Sequence, residues 1–151
     1  VMFCLSKGLS APVGSLVCGS SEFVEKARKA RKMVGGGMRQ AGHLAAAGII
    51  ALNVLVERLE KDHENAKYLA RHISRLDGIE VDESKIKTNI LFFKLEGFDG
   101  NAFLEQLEKN QIKILITDTE GGIFRAVLHR EVSKEQVETV IETFKSILAK
   151  R

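Results

Sequence analysis

Apolar residues open the chain in one run, Val1-Met2-Phe3-Cys4-Leu5, bounded by Ser6-Lys7-Gly8. A short apolar run closed by turn residues reads as a buried strand. Residues 8–12 read as a tight loop, with Gly8 free to take positive φ and Pro12 fixed in φ. Residues 13–18 predict a second short strand. Ser20 or Ser21 caps a helix running to about Val34, with Glu22 and Glu25 in its first turn, where the helix dipole favours anions. The run Gly35-Gly36-Gly37 ends it.

Next the period changes. Leu52, Leu55, Leu59, Ala66, Leu69, Ala70 and Ile73 recur at spacings of three and four and predict one long helix over about 41–76. Gly78 stands where a left-handed C-terminal cap belongs. Beyond it the pattern alternates. Residues 79–81 and 88–95 predict strands, the second carrying Ile90-Leu91-Phe92-Phe93 with strong β preference. Residues 101–110 predict an amphipathic helix, and 112–117 and 123–129 two further strands about Gly121-Gly122. Ser133 with Gln136 forms a capping box for a last helix to about Ala149. The β-β-α-β-β-α order predicts a compact sheet with helices on one face. No internal repeat is present.

Composition narrows the class. The chain has 151 residues, 44% hydrophobic and 28% charged, with one proline: enough to bury a core, and not the composition of a disordered chain. Cys4 and Cys18 make neither a disulfide framework nor a zinc-ligand spacing, and no metal site is expected. The mostly apolar stretch 41–56 is interrupted by His43, Gly48 and Asn53 and is shorter than the roughly 20 residues of a membrane span. A cytoplasmic protein without membrane contact is the expectation. The apolar start, with no start methionine or signal peptide, reads as the middle of a protein, so the upstream part of a larger fold is expected to be missing.

The net charge of +3 is uneven: residues 1–39 carry seven Lys or Arg against two Glu. Most of the excess lies in Lys26, Arg28, Lys29, Arg31, Lys32 and Arg39. Taken alone this is a solvated helix face. Phe23 is the only aromatic in the run and the whole chain is not strongly basic, so a small anion such as a phosphate or carboxylate fits the patch better than nucleic acid.

The phosphate-binding glycine fingerprints, the HExxH helix and the nucleophile elbow are absent. His43, His63, His72 and His129 are scattered, His63 and His72 on the polar side of the long helix, and read as solvated. One segment has chemistry to offer: Ser6-Lys7-Gly8-Leu9-Ser10-Ala11-Pro12-Val13-Gly14-Ser15. A lysine just past a strand, among small residues, lets a bulky group approach the backbone. If the site is dry, desolvation lowers the amine pKa and makes it a nucleophile toward carbonyls, the chemistry of a Schiff-base lysine. An ordinary strand-end lysine remains the alternative at this point.

The run Phe3 to Ser15 closely resembles the cofactor-lysine segment of the low-specificity L-threonine aldolases, pyridoxal-phosphate enzymes of the aspartate aminotransferase-like fold. The resemblance continues through Ala27-Arg28-Lys29-Ala30-Arg31-Lys32-Met33, Gly35-Gly36-Gly37-Met38-Arg39-Gln40-Ala41-Gly42, Ala45-Ala46-Ala47-Gly48 and Asp62-His63-Glu64-Asn65-Ala66. It implies an α/β fold. Residues 1–50 would be the C-terminal part of the large cofactor-binding domain (fold type I), and 51–151 a linking helix and a small α+β C-terminal domain. It implies pyridoxal phosphate as cofactor, with Lys7 the lysine that carries it. Arg39 would lie at the cofactor-phosphate end, in a loop that helps build the site across a subunit interface. Lys32 would line the site, and Arg125 would bind the substrate α-carboxylate, a role suited to a planar bidentate guanidinium. Ser10 departs from the pattern, standing where the family often has glycine.

The implied activity is an aldehyde-lyase that cleaves L-threonine, L-allo-threonine and related β-hydroxy-α-amino acids to glycine and an aldehyde. It belongs to threonine catabolism and glycine biosynthesis. The implied partners are a small amino-acid substrate and further copies of the chain, a homotetramer by resemblance. The family's phosphate loop, its ring-stacking histidine and the aspartate that pairs with the pyridine nitrogen lie upstream of this segment and are not assignable here. Three alternatives stay open: another fold type I enzyme, such as an aminotransferase or β-eliminating lyase; a catalytically incompetent fragment; and a nucleic-acid binder resting on the basic helix alone.

Overall fold

The computed structural model describes residues 1–150 and divides into two compact units, Val1–Leu59 and a second beginning at Glu60. In the first, β1 (Met2–Cys4) pairs antiparallel with β2 (Ser15–Val17), in the register Met2↔Val17, Phe3↔Leu16 and Cys4↔Ser15. The loop between them closes on Leu5, whose N–H donates to the Gly14 carbonyl at 2.9 Å and whose carbonyl accepts from the Ala11 N–H at 3.0 Å. Leu5, Leu9 and Ala11 are buried with Ala51, and Phe3, Leu55 and Leu59 pack around them.

The expected buried strand is therefore half of a two-stranded ribbon. Met2 is 62% exposed and Phe3 and Cys4 only partly covered, because β1 has no second neighbour among the described residues. Nor does Gly8 take positive φ; Ser10 does, at 56°. Gly8 gives Leu59 room, since a Cβ there would lie 2.8 Å from Leu59 Cδ2 and that methyl would have to shift.

Helix α1 (Ser21–Met33) is capped as expected, with the Ser20 hydroxyl accepting from the Phe23 N–H. It ends in a Schellman motif. Gly35 takes φ 81° and donates to the Lys32 carbonyl, while the Gly36 N–H donates to the Arg31 carbonyl at 2.8 Å. The helix buries no residue.

The single long helix of the sequence reading is two: α2 (Gly42–Val54) and α3 (Leu59–Ile73). The 3-and-4 spacing runs through the break, so periodicity could not reveal it. Asn53, Val54 and Val56 are weak helix formers, and Leu55 ends α2 with its N–H on the Ala51 carbonyl. No single helix among the described residues is long and apolar enough to cross a membrane.

The second unit holds β3 (Ile79–Glu80), β4 (Ile90–Leu95), α4 (Gly100–Lys109), β5 (Leu115–Asp118), β6 (Ile123–Val127) and α5 (Lys134–Leu148). The strand and helix order matches the expected one. The sheet is wholly antiparallel, ordered β3-β4-β6-β5. One face carries Leu91, Phe93, Leu95, Phe124 and Ala126, which form the core with residues of α3, α4 and α5. At its centre Phe93 stacks on Phe124 at 5.1 Å, and Phe103 meets Phe144 edge-on at 5.1 Å.

Two boundaries move. Gly78 does take positive φ, at 83°, but α3 has already ended at Ile73, so Gly78 turns the chain into β3 instead of capping a helix. Strand β5 starts at Leu115 and not at Ile112. Residues 112–114 leave the β6 edge, and a cavity of about 420 Å³ opens between them, Leu128 and α5.

Candidate active site

Lys7 sits at the apex of the closed loop. Its carbonyl accepts from the Ser10 N–H at 2.8 Å, which makes the turn, and the turn turns its side chain outward. Leu5 and Leu9 on either side point into the small core, and Ser6 and Ser10 are exposed. The backbone is thus pinned, while among the described residues the amine has no ion-pair or hydrogen-bond partner. The desolvation expected from the sequence is not provided by these residues: Lys7 is exposed.

Lys32 lies in the last turn of α1 and folds back along the glycine run. A Cβ on Gly37 would fall 3.1 Å from Lys32 Cδ, which places the lysine side chain against the glycine run. Elsewhere on α1, Lys26 pairs with Glu22 at 2.6 Å and Lys29 with Glu25 at 3.3 Å. No ion pair joins Lys32 or Arg39 to a carboxylate among the described residues. Arg39 is exposed in the bend before α2, followed by Gln40 at φ 54°. Lys7, Lys32 and Arg39 all belong to the first unit, on separate segments.

Arg125 belongs to the second unit, in the middle of β6. Alternation along that strand buries Phe124 and Ala126 in the core and turns Ile123, Arg125 and Val127 to the outer face. Directly across from Arg125 stand Phe92 on β4 and Leu115 on β5, two residues the sequence reading did not single out. The signal was present: an unbroken Ile90-Leu91-Phe92-Phe93 is apolar on both faces, where a half-solvated strand alternates. On the same outer face Lys94 is held by Glu96 at 2.6 Å, an ion-pair hydrogen bond that pushes the lysine pKa up and the carboxyl pKa down. Arg125 has no such partner among the described residues.

Pyridoxal phosphate asks for an amine for its aldehyde, cations or N–H groups for its phosphate, a wall for its ring and a partner for the ring nitrogen. The residues present fit the first two: the free amine of Lys7 on a loop of small side chains, and Lys32 and Arg39 about a glycine run. Among the described residues no group of His, Cys, Asp and Glu is placed to hold a metal ion.

The sequence is similar over nearly its whole length to known proteins. It is 39% identical to low-specificity L-threonine aldolase 1 of Arabidopsis thaliana over 98% of this chain, and 40% identical to the low specificity L-threonine aldolase of Escherichia coli K12 over 97%. The chain spans 42% of the length of each of these relatives. An aminotransferase from Streptoalloteichus hindustanus superposes with a TM-score of 0.75 at 18% identity, over 99% of this chain and 52% of that one. The fold is accordingly that of the aspartate aminotransferase-like pyridoxal-phosphate enzymes, of which the chain matches a part. The sequence model of the beta-eliminating lyases, a pyridoxal-phosphate-dependent family, matches residues 1–96 and takes in the Lys7 loop, the glycine run and β4. This chain belongs to the beta-eliminating lyase family.

Proposed function

We propose that this chain is part of a pyridoxal-phosphate-dependent aldehyde-lyase that cleaves L-threonine, L-allo-threonine and related β-hydroxy-α-amino acids to glycine and an aldehyde. The observation that carries the reading is Lys7. It is an exposed amine at the apex of a loop whose backbone is tied to Leu5, in a chain similar over nearly its whole length to L-threonine aldolases.

Each residue then has a task. Lys7 would hold the cofactor through its aldehyde, its side chain being the only amine on the loop. Lys32 and Arg39 would present cations to its phosphate, which carries two negative charges when fully ionised. Arg125 takes the substrate α-carboxylate through two parallel N–H donors, and the orientation so fixed decides which bond at the α-carbon breaks. The cofactor, when bound, supplies the electron sink that bond cleavage needs. On this reading residues 1–50 complete the large domain and 51–151 form the linking helix and small domain. The enzyme is cytoplasmic and works as a homo-oligomer, a tetramer by likeness to the family, without nucleic acid or membrane. The exposed apolar residues of β1, β2 and α2 support a covered position within a larger assembly.

A second reading, an aminotransferase or β-eliminating lyase, is favoured by the breadth of enzymes sharing the fold. Product analysis separates the two. The holoenzyme containing this chain is expected to release acetaldehyde and glycine in equal amounts from L-threonine. A 2-keto acid with ammonia, or a keto acid with no aldehyde, would overturn the proposed activity.

A further inference from the structure

Arg125 occupies an interior strand of the sheet, yet the two residues directly across from it are apolar; the charged residue diagonal to it on that face, Lys94, is held by Glu96. Phe92 and Leu115 lie directly opposite, one on each neighbouring strand, and are 53% and 58% exposed. Opposed side chains in an antiparallel pair stand about 4.5–5.5 Å apart at Cβ, so these two flank the root of the arginine side chain. Ile123 and Val127, two residues away along β6, extend the apolar frame. Arg125 itself is partly buried and, among the described residues, has neither an ion pair nor a side-chain hydrogen bond. A guanidinium whose stem lies between two apolar side chains and which has no carboxylate partner among the described residues is open to an anion. Folding by itself does not require apolar residues at 92 and 115, since both face away from the core.

We infer that Phe92 and Leu115 are positioning residues for Arg125. They wall its side chain on two sides, narrow the rotamers open to it and keep water off the carboxylate it receives. The inference rests on the reading of Arg125 as the carboxylate-binding residue and adds what makes it effective. Charge-assisted hydrogen bonds strengthen where the local dielectric is low, and a side chain already confined loses less freedom on binding. The ligand class this frame admits is a compact carboxylate approaching the open sheet face.

The test compares Phe92→Ser and Leu115→Ser, with Phe92→Leu as the conservative variant and Arg125→Leu as the reference, all in the holoenzyme containing this chain. Each serine variant is expected to raise KM for L-threonine about tenfold, with kcat within about twofold and the cofactor absorbance unchanged. Phe92→Leu is expected to restore KM to within about threefold of the parent. If Arg125→Leu raises KM while both serine variants leave it unchanged, the positioning role is overturned and the carboxylate role stands. If Arg125→Leu leaves KM unchanged, both fall. Leu115→Ser is read on its own should Phe92→Ser not fold, and an unchanged KM there overturns the proposal.

Discussion

At the residue scale, the Lys7 loop separates the side chains that hold its backbone from the exposed amine to which the proposed function gives the chemistry. Leu5, Leu9 and Ala11 fix the loop, and the turn at Lys7 is made by its carbonyl. Lys7→Ala should therefore leave the thermal midpoint within about 2 °C of the parent, since it touches no core group. It should abolish both the cofactor's protein-bound absorption band and aldehyde release. Ser10 is the strained position: at φ 56° it stands in the left-handed region without a glycine. Ser10→Gly should stabilise the chain by about 0.5–1 kcal/mol, read by urea unfolding; a loss of stability would show that the side chain is needed there. Motif similarity nominates Lys7, Lys32, Arg39 and Arg125 as candidates, because contiguous local patterns can be compared within a single chain. Phe92 and Leu115 escaped it because they come together only through strand register, which joins residues 23 positions apart across a third strand.

At the element scale, the caps were the most legible features, since they are written within four residues. Ser20 caps α1, and Ser133 and Gln136 form the reciprocal box at α5, Ser133 N–H to Gln136 Oε1 at 2.8 Å and Gln136 N–H to Ser133 Oγ at 3.3 Å. Ser133→Ala should cost about 1 kcal/mol in unfolding free energy. A hydrogen bond from the Ser133 hydroxyl holds the Glu135 carboxyl below its usual range. A carboxyl with a depressed folded-state pKa adds stability above the ordinary glutamate range, and that stability is lost as pH falls through the folded value. Glu135→Gln should flatten this acid limb of a Tm-against-pH curve, and the effect should be small because the group is fully exposed. The α2–α3 break and the late start of β5 were not legible. Apolar spacing continues through both, and what decides them is packing: α2 buries Gly48 and Ala51 against the loop, while α3 buries Ala66, Leu69, Ala70 and Ile73 in the second core.

At the scale of the whole molecule, the two units differ in how completely they satisfy themselves. The second encloses its sheet face with three helices around four phenylalanines. The first leaves α1 without a buried residue and exposes Ile49 and Ile50 of α2, a helix apolar nearly all round. Such a helix belongs in an interior, which fits a chain spanning 42% of the length of the relatives it matches. The second unit should accordingly show the slower amide exchange, and its β4 and β6 amides the slowest; faster exchange there than in α1 would contradict this division of stability. The central claim, that Lys7 is the residue carrying the cofactor, is tested most directly by trapping. The holoenzyme containing this chain would be reduced with borohydride, digested, and the peptide bearing the reduced cofactor sequenced. The label is expected on Lys7 in stoichiometric amount; a label on any other lysine, with Lys7 unmodified, would contradict that role.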